Sequence, residues 1–299
     1  MATLPPRAVV VTRETDYQRL LAVHATREQA RFFLASRGQD IDELQRQHET
    51  FLAAVHEVRV GLPTDWRIAR VGRDDLDRFL FAPEDVVIAV GQDGLVANLA
   101  KYLAGQPVLG VNPLPQINEG VLVPLAPADV AKLAPAAAAG AADLERRAMV
   151  HAVLEDGQSL RALNEVFVGH RSHQSARYVL TLGDKTERQS SSGVIVSTGT
   201  GTTGWARSIM TTMRRKVTLT PTDRALVFFV REAWPSRATG ASLVASLLRG
   251  EQSLQIQSNM NDGGVVFADG IEQDRLAFGW GRTVTVGLDA ATLNLVQRG

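Results

Sequence analysis

The 299 residues are 45% hydrophobic and 21% charged, and Lys plus Arg balances Asp plus Glu at 32 each. That is material for one large or two ordinary domains with real cores, and it excludes a disordered tail, a fibre and a global field that would draw the chain to nucleic acid or to an anionic membrane. The absence of cysteine excludes disulfides, thiolate metal sites and cysteine nucleophiles. The first apolar run is broken by Arg13 and Glu14, well short of a signal-peptide core or a membrane span, so a cytoplasmic protein is expected.

In chain order, Ala8 to Val11 reads as a buried strand, and Thr26 with Gln29 forms a capping-box pattern for a helix carrying Ala30, Phe33 and Leu34, ended by Gly38. From Asp40, apolar Ile41, Leu44, Phe51, Leu52 and Val55 recur at helical spacing, with Arg46, Gln47 and Glu49 on the wet face. Trp66 to Val71 reads as a second strand and Arg73 to Phe81 as a short helix. Val86 to Val90 is a β-branched run suited to burial on both faces; it stops at Gly91-Gln92-Asp93-Gly94, and a helix carrying Leu95, Val96, Leu99 and Leu103 follows. Val108 to Val111 supplies another strand before a loop from Pro113 to Gly120. This alternation predicts a Rossmann-like parallel sheet wrapped by helices.

The texture then changes. Pro127 to Ala142 is rich in alanine and proline, with Ala134 to Ala142 read as an alanine-rich loop or helix start, and from Arg146 short alternating segments with frequent turns predict antiparallel sheet. One helix is expected at Ala241 to Leu248. The expected domains are an α/β unit over 1–130 and a β-rich, sandwich-like unit over 131–299, with Leu288 to Gly299 a candidate to return to the first.

Three features could carry chemistry. Asp93 lies in a glycine-flanked turn between a buried strand and a helix N-terminus, where open α/β sheets take phosphate-bearing ligands; a plain helix cap is the alternative. Asn164 and Glu165 interrupt an apolar strand and point to opposite faces of it, so one of them meets core or ligand unless the strand begins there. An inward Glu165 would need a partner, since a lone buried carboxylate costs several kcal/mol. Thr198 to Trp205, T-G-T-G-T-T-G-W, follows the apolar Val194 to Val196 with backbone and hydroxyl groups suited to phosphates or ribose and an indole face for a base; a β-turn region is the alternative, and the Walker A spacing is absent. Asp269-Gly270 reads as a hairpin turn without chemistry. His170 and His173 read as solvated loop residues, and neither a serine-hydrolase elbow nor a zincin motif is present.

In this order and spacing, Gly91 to Gly94, Gly110 to Asn112, Asn164-Glu165 and Thr198 to Trp205 resemble the NAD kinase family, which carries a G-G-D-G turn, a G-V-N strand end, an N-E pair and a T-P-T-G-S-T-A-Y-like loop. Ala162 to Phe167, Ser191 to Gly193 and Thr198 to Trp205 look most like the mitochondrial-type members and their bacterial relatives. The resemblance runs from about Val86 to the C-terminus.

It implies phosphoryl transfer from ATP, or polyphosphate in some relatives, to the 2′-hydroxyl of the adenosine ribose of NAD. By this resemblance Asp93 would orient or deprotonate that hydroxyl, and Gly91, Gln92, Gly94 and Asn112 would sit at the donor phosphates. Asn164 and Glu165 would hold ribose hydroxyls or the amide end of NAD, with Ser192, Thr198, Thr200, Gly201, Thr203 and Trp205 around the dinucleotide. Mg²⁺ would ride on the donor phosphates without a dedicated protein cage. A homodimer or larger homo-oligomer follows by the same likeness. Two positions depart from the pattern: Gln92 replaces the family's second glycine, and Ser192 replaces the aspartate of most bacterial members. The alternatives are an NAD(P)-binding sensor whose donor site Gln92 has closed, and a kinase acting on a lipid or sugar hydroxyl.

Overall fold

The computed structural model of the chain describes residues 5–299 and contains two compact units, Met1–Glu145 with Asn294–Gly299, and Arg146–Leu293.

The first unit contains β1 (Arg7–Thr12), α1 (Asp16–His24), α2 (Arg27–Ala35), α3 (Ile41–Gly61), β2 (Arg67–Gly72), β3 (Val86–Val90), α4 (Asp93–Ala100), β4 (Pro107–Val111) and α5 (Val130–Ala138). Its strands run in the order β2, β1, β3, β4, all parallel. All five residues of β3 are buried, as a strand covered on both faces requires, and each buried Val or Ile side chain contributes roughly 1.5–3 kcal/mol. Val58 of α3 and Val130, Leu133, Ala134 and Ala137 of α5 cover the sheet.

The alanine-rich stretch is therefore an amphipathic helix in the core of this unit, and the division between units falls at Arg146 rather than near residue 130. The 3₁₀ turn Arg73–Arg78 stands where a short helix to Phe81 is expected. Helix α1 is an addition to the expected elements; Thr15 and Gln18 close a capping box at its start.

The second unit contains β5 (Leu144–Leu154, entering from the first unit), β6 (Ser159–Ala162), β7 (Glu165–His170), β8 (Ala176–Leu182), β9 (Lys185–Ser191), β10 (Val194–Ser197), α6 (Trp205–Thr212), β11 (Ala225–Val230), β12 (Ala245–Arg249), β13 (Ser253–Ser258), β14 (Gly264–Ala268), β15 (Ile271–Ala277) and β16 (Thr283–Val296). The end of β16 belongs to the first unit, where Asn294 and Leu295 pair in parallel with Pro107 and Val108.

One antiparallel sheet has the order β12, β11, β10, β7, β14, β15. The alternation of side chains sorts its residues between two layers. Val166, Val168, Val194, Val196 and Phe228 pack against Tyr178, Leu180, Leu254, Ile256 and Val284 of the facing β8, β13 and β16, which makes a sandwich. Phe167, Ile195 and Phe229 turn the other way, under Ala206 and Ile209 of α6.

The helix expected at Ala241 to Leu248 is absent: residues 241–244 are irregular, and the chain from Ala245 on forms β12, paired with β11. The apolar spacing there suits either state, and the fully buried β11 supplies a ladder edge that decides for strand. Glu187 anchors the approach by accepting the backbone N–H groups of Ser242 and Leu243.

Candidate active site

In the first unit the connection that leaves β1 runs to β2 on one side, and the connection that leaves the neighbouring β3 runs to β4 on the other. The carboxyl ends of β1 and β3 therefore flank a topological switch point, the place where open α/β sheets bind ligands. A pocket of about 140 Å³ opens there, lined among others by Arg13 and Thr15 after β1, Gly91 and Gln92 after β3, His48 of α3, and Asn118. Burial pulls the Arg13 guanidinium below its ordinary value, with neighbouring Asp16 opposing the shift.

Asp93 is the first residue of α4, and Gln92 occupies the cap position without a side-chain cap bond. Instead of capping the helix, the Asp93 carboxylate accepts the backbone N–H groups of Leu122 at 2.8 Å and Val121 at 3.2 Å. Each oxygen has a second lone pair beyond those bonds. Gln92 Nε2 donates to Asn118 Oδ1 at 3.0 Å. Asn112, at the end of β4, folds the same loop: its Nδ2 donates to the Asn118 carbonyl and its Oδ1 accepts from Leu114, each at 3.0 Å. Gly120 closes the loop at φ 74° with Asn112 Nδ2 so near that a Cβ would not fit. Gly94 is exposed with open space around it.

In the second unit β7, β10 and β14 bring one cluster together. Glu165 opens β7 opposite Ser197 of β10, so the N-E pair sits at a strand entrance. Thr198 is fully buried; its Oγ1 donates to the Leu163 carbonyl at 2.6 Å and its N–H to the Asn164 carbonyl at 2.9 Å. Gly201 packs against the Asn164 carbonyl and Ser197 Oγ, leaving no room for a Cβ. The loop spends several hydroxyls on itself, Thr202 on Gly199 and Thr203 on Thr200, whereas Thr200 Oγ1 is buried without a partner among the described residues.

Asp269 joins this cluster, a residue read from sequence as a plain turn. Its carboxylate accepts from the backbone N–H groups of Leu163, Asn164 and Glu165 at 3.0, 2.8 and 3.2 Å. Burial and the Asp269 charge push the Glu165 carboxyl up to about 7. The available signal was a D-G pair after a buried strand, indistinguishable in sequence from an ordinary hairpin.

Ser192 lies at the other end of β10 from Thr198, and its hydroxyl donates to Glu232. Trp205 is not a free platform: it stacks on Phe167 with ring centroids 5.8 Å apart, and the Arg231 guanidinium lies over it at 5.1 Å. His170 Nδ1 accepts from Ser172 N–H. No group of three or more His, Asp or Glu side chains gathers in metal-binding geometry among the described residues.

No family model matches the chain. An NAD kinase of Chlorobaculum tepidum is 25% identical over 217 residues, 71% of each chain. An NAD kinase of Burkholderia lata is 32% identical over 136 residues, 42% of this chain and 44% of that protein. Among solved structures, yeast NADH kinase complexed with NADH superimposes with a TM-score of 0.59 at 16% identity, covering 98% of this chain and 83% of its own. An NAD kinase from Archaeoglobus fulgidus in complex with ATP gives 0.58 at 17%, covering 98% and 94%. The architecture, a parallel α/β unit followed by an antiparallel sandwich, is that of the NAD kinase fold. Both curated relatives are NAD kinases by name, so the chain resembles that family in sequence over part of its length and in fold over 98% of it.

Proposed function

We propose that the chain is an NAD kinase that transfers a phosphoryl group from ATP to the 2′-hydroxyl of the adenosine ribose of NAD, giving NADP. The observation that carries this reading is Asp93 at the carboxyl end of β3. Two backbone N–H groups orient its carboxylate, which keeps lone pairs to take a hydroxyl proton. The curated relatives bear the name NAD kinase, and the yeast and archaeal neighbours were solved with NADH and ATP, which supports a dinucleotide acceptor and a nucleotide triphosphate donor here.

In this reading Asp93 orients and deprotonates the acceptor hydroxyl, and Gly91, Gln92, Gly94 and Asn112 shape the donor side. Asn164, Glu165, Thr200, Gly201 and Thr203 contact the dinucleotide, around the frame that Thr198 builds. Trp205 and Ser192 contribute from the Arg231 and Glu232 side. Such chemistry depends on bringing hydroxyl and phosphoryl groups into line and on stabilising transferred charge. Mg²⁺ is proposed as a cation carried on the donor phosphates, where it would neutralise their charge. A cytoplasmic homodimer or larger homo-oligomer completes the proposal; among the described residues no helix is long and apolar enough to cross a membrane.

The Gln92–Asn118 bond favours a second reading, a dinucleotide sensor with a closed donor side. Incubation of purified protein with NAD, ATP and Mg²⁺ separates the two. The kinase reading expects NADP, abolished in Asp93→Asn; NAD binding by calorimetry without NADP from ATP or polyphosphate would establish the sensor instead.

A further inference from the structure

Leu163 and Asn164 lie between β6 and β7, outside any ladder, so their backbone groups need partners from elsewhere. Two residues supply nearly all of them. The Asp269 carboxylate takes the three N–H groups of Leu163, Asn164 and Glu165, and the Asp269 N–H returns a bond to the Glu165 carbonyl at 2.9 Å. Thr198 takes the other two carbonyls, of Leu163 and Asn164. All six backbone polar groups of Leu163, Asn164 and Glu165 are thereby satisfied, three of them by one ionisable side chain.

Asp269 reaches this position through local strain. It has φ 51° and Gly270 has φ 70°, the two left-handed residues of a tight hairpin turn between β14 and β15. A side chain with a Cβ is uncommon at positive φ, and Asp and Asn are among those that tolerate it. An asparagine would hold the turn equally well but would bring one neutral acceptor where the carboxylate brings two charged ones, and bonds from N–H to a carboxylate are about twice as strong as neutral ones.

We propose that Asp269 is a positioning residue of the dinucleotide site: by gripping the backbone of Leu163 to Glu165, it sets the direction in which the Asn164 and Glu165 side chains meet NAD. The proposal rests on the reading of Asn164 and Glu165 as dinucleotide contacts. The same carboxylate has an electrostatic consequence. The Thr198 to Gly201 segment brings no titratable group to this cluster, and the charge acting on Glu165 is that of Asp269. Burial first, and the Asp269 charge added to it, keep Glu165 partly protonated near neutrality, able to donate a hydrogen bond to an acceptor oxygen of the ligand.

Asp269→Asn, compared with the wild type and with Glu165→Gln, tests this. The KM for NAD is expected to rise about 10- to 100-fold, the equivalent of one lost charge-assisted hydrogen bond, with kcat and the KM for ATP nearly unchanged. The pH at which NAD affinity breaks should move to lower values in Asp269→Asn, because a negative neighbour is gone, and the break should vanish in Glu165→Gln. Amide hydrogen exchange at Leu163 to Glu165 should quicken in Asp269→Asn while the far-UV spectrum stays the same. An unchanged KM for NAD together with an unmoved pH break overturns the proposal, as does a uniform fall in kcat, both affinities and melting temperature, which marks a merely structural residue. Failure of the wild type to bind NAD overturns the functional reading itself and this proposal with it.

Discussion

Gln92 Nε2 donates to Asn118 Oδ1 at 3.0 Å, so the side chain between Gly91 and Asp93 ties the turn after β3 to the loop after β4. The tie leaves Asn118 Nδ2 buried without a partner among the described residues, a donor that a ligand oxygen in the adjoining pocket could satisfy. Gln92→Gly removes one neutral hydrogen bond and the bulk of the side chain. If the tie restrains donor entry, kcat/KM for ATP should rise about 2- to 10-fold, the range of a 0.5–1.5 kcal/mol bond, with the KM for NAD unmoved. Steady-state kinetics with ATP varied checks this, and an unchanged or lower value removes Gln92 from the account of the donor side.

Gly201 is held against the Asn164 carbonyl and Ser197 Oγ, two atoms that the frame around Glu165 already uses. Gly201→Ala forces the loop away from β7 and should cost about 1–3 kcal/mol by overpacking. Urea unfolding should show the lower midpoint, and NAD affinity should fall with it. Full stability in this variant would mean that the loop can retreat at no cost.

The raised Glu165 carboxyl makes stability depend on pH in a definite direction. With a folded value of about 7 against an ordinary 4.5, the folded state holds more protons than the unfolded state between those limits. Stability from this group is therefore full below pH 4.5, falls as pH rises, and is lost above about 7. Thermal melts of wild type and Glu165→Gln across pH 4.5 to 8 should diverge, the variant becoming relatively more stable at the alkaline end. Parallel curves would show that Glu165 titrates as an ordinary surface carboxylate.

At the amino-terminal end of β3, Asp85 is fully buried and accepts from Arg7 Nε at 2.7 Å, Arg7 Nη2 at 2.6 Å and the Ala82 N–H at 2.7 Å. Bonding to Asp85 raises the Arg7 guanidinium above its ordinary value, against its own desolvation. Asp85→Ala strands a partly buried cation and should destabilise by about 3 kcal/mol, near the lower end for a broken buried pair because Arg7 reaches water. Chemical denaturation measures the loss, while kcat of the folded fraction should be unchanged, since the pair lies at the opposite end of β3 from Asp93.

The parts of the fold that could be read from sequence are those with strong period. β3 announced itself through five consecutive β-branched or small apolar residues, and α3 through its apolar spacing. The segment at Ala245 to Arg249 could not be read this way: A-S-L-V-A-S-L-L suits a helix in isolation, and β11 makes it a strand by offering unpaired backbone groups. Likewise composition left the alanine-rich stretch open between a loop and a helix start, whereas burial of Val130, Leu133, Ala134 and Ala137 makes Val130–Ala138 a core helix.

Motif spacing alone determined the candidate chemistry: an acid between glycines after a buried strand, an amide-acid pair at a strand entrance, and a threonine-glycine loop after a strand. Tertiary structure alone decided how these residues are employed. Asp93 orients on Val121 and Leu122, Thr198 serves the frame rather than the surface, Ser192 stands at the far end of β10, and Asp269, more than a hundred residues from Glu165, governs it. The reason is physical. Periodicity records which face of an element is buried, a property of neighbours in sequence, whereas the partner of a buried polar group is chosen by whichever strand end or turn the packing of the sheets brings within 3 Å or so.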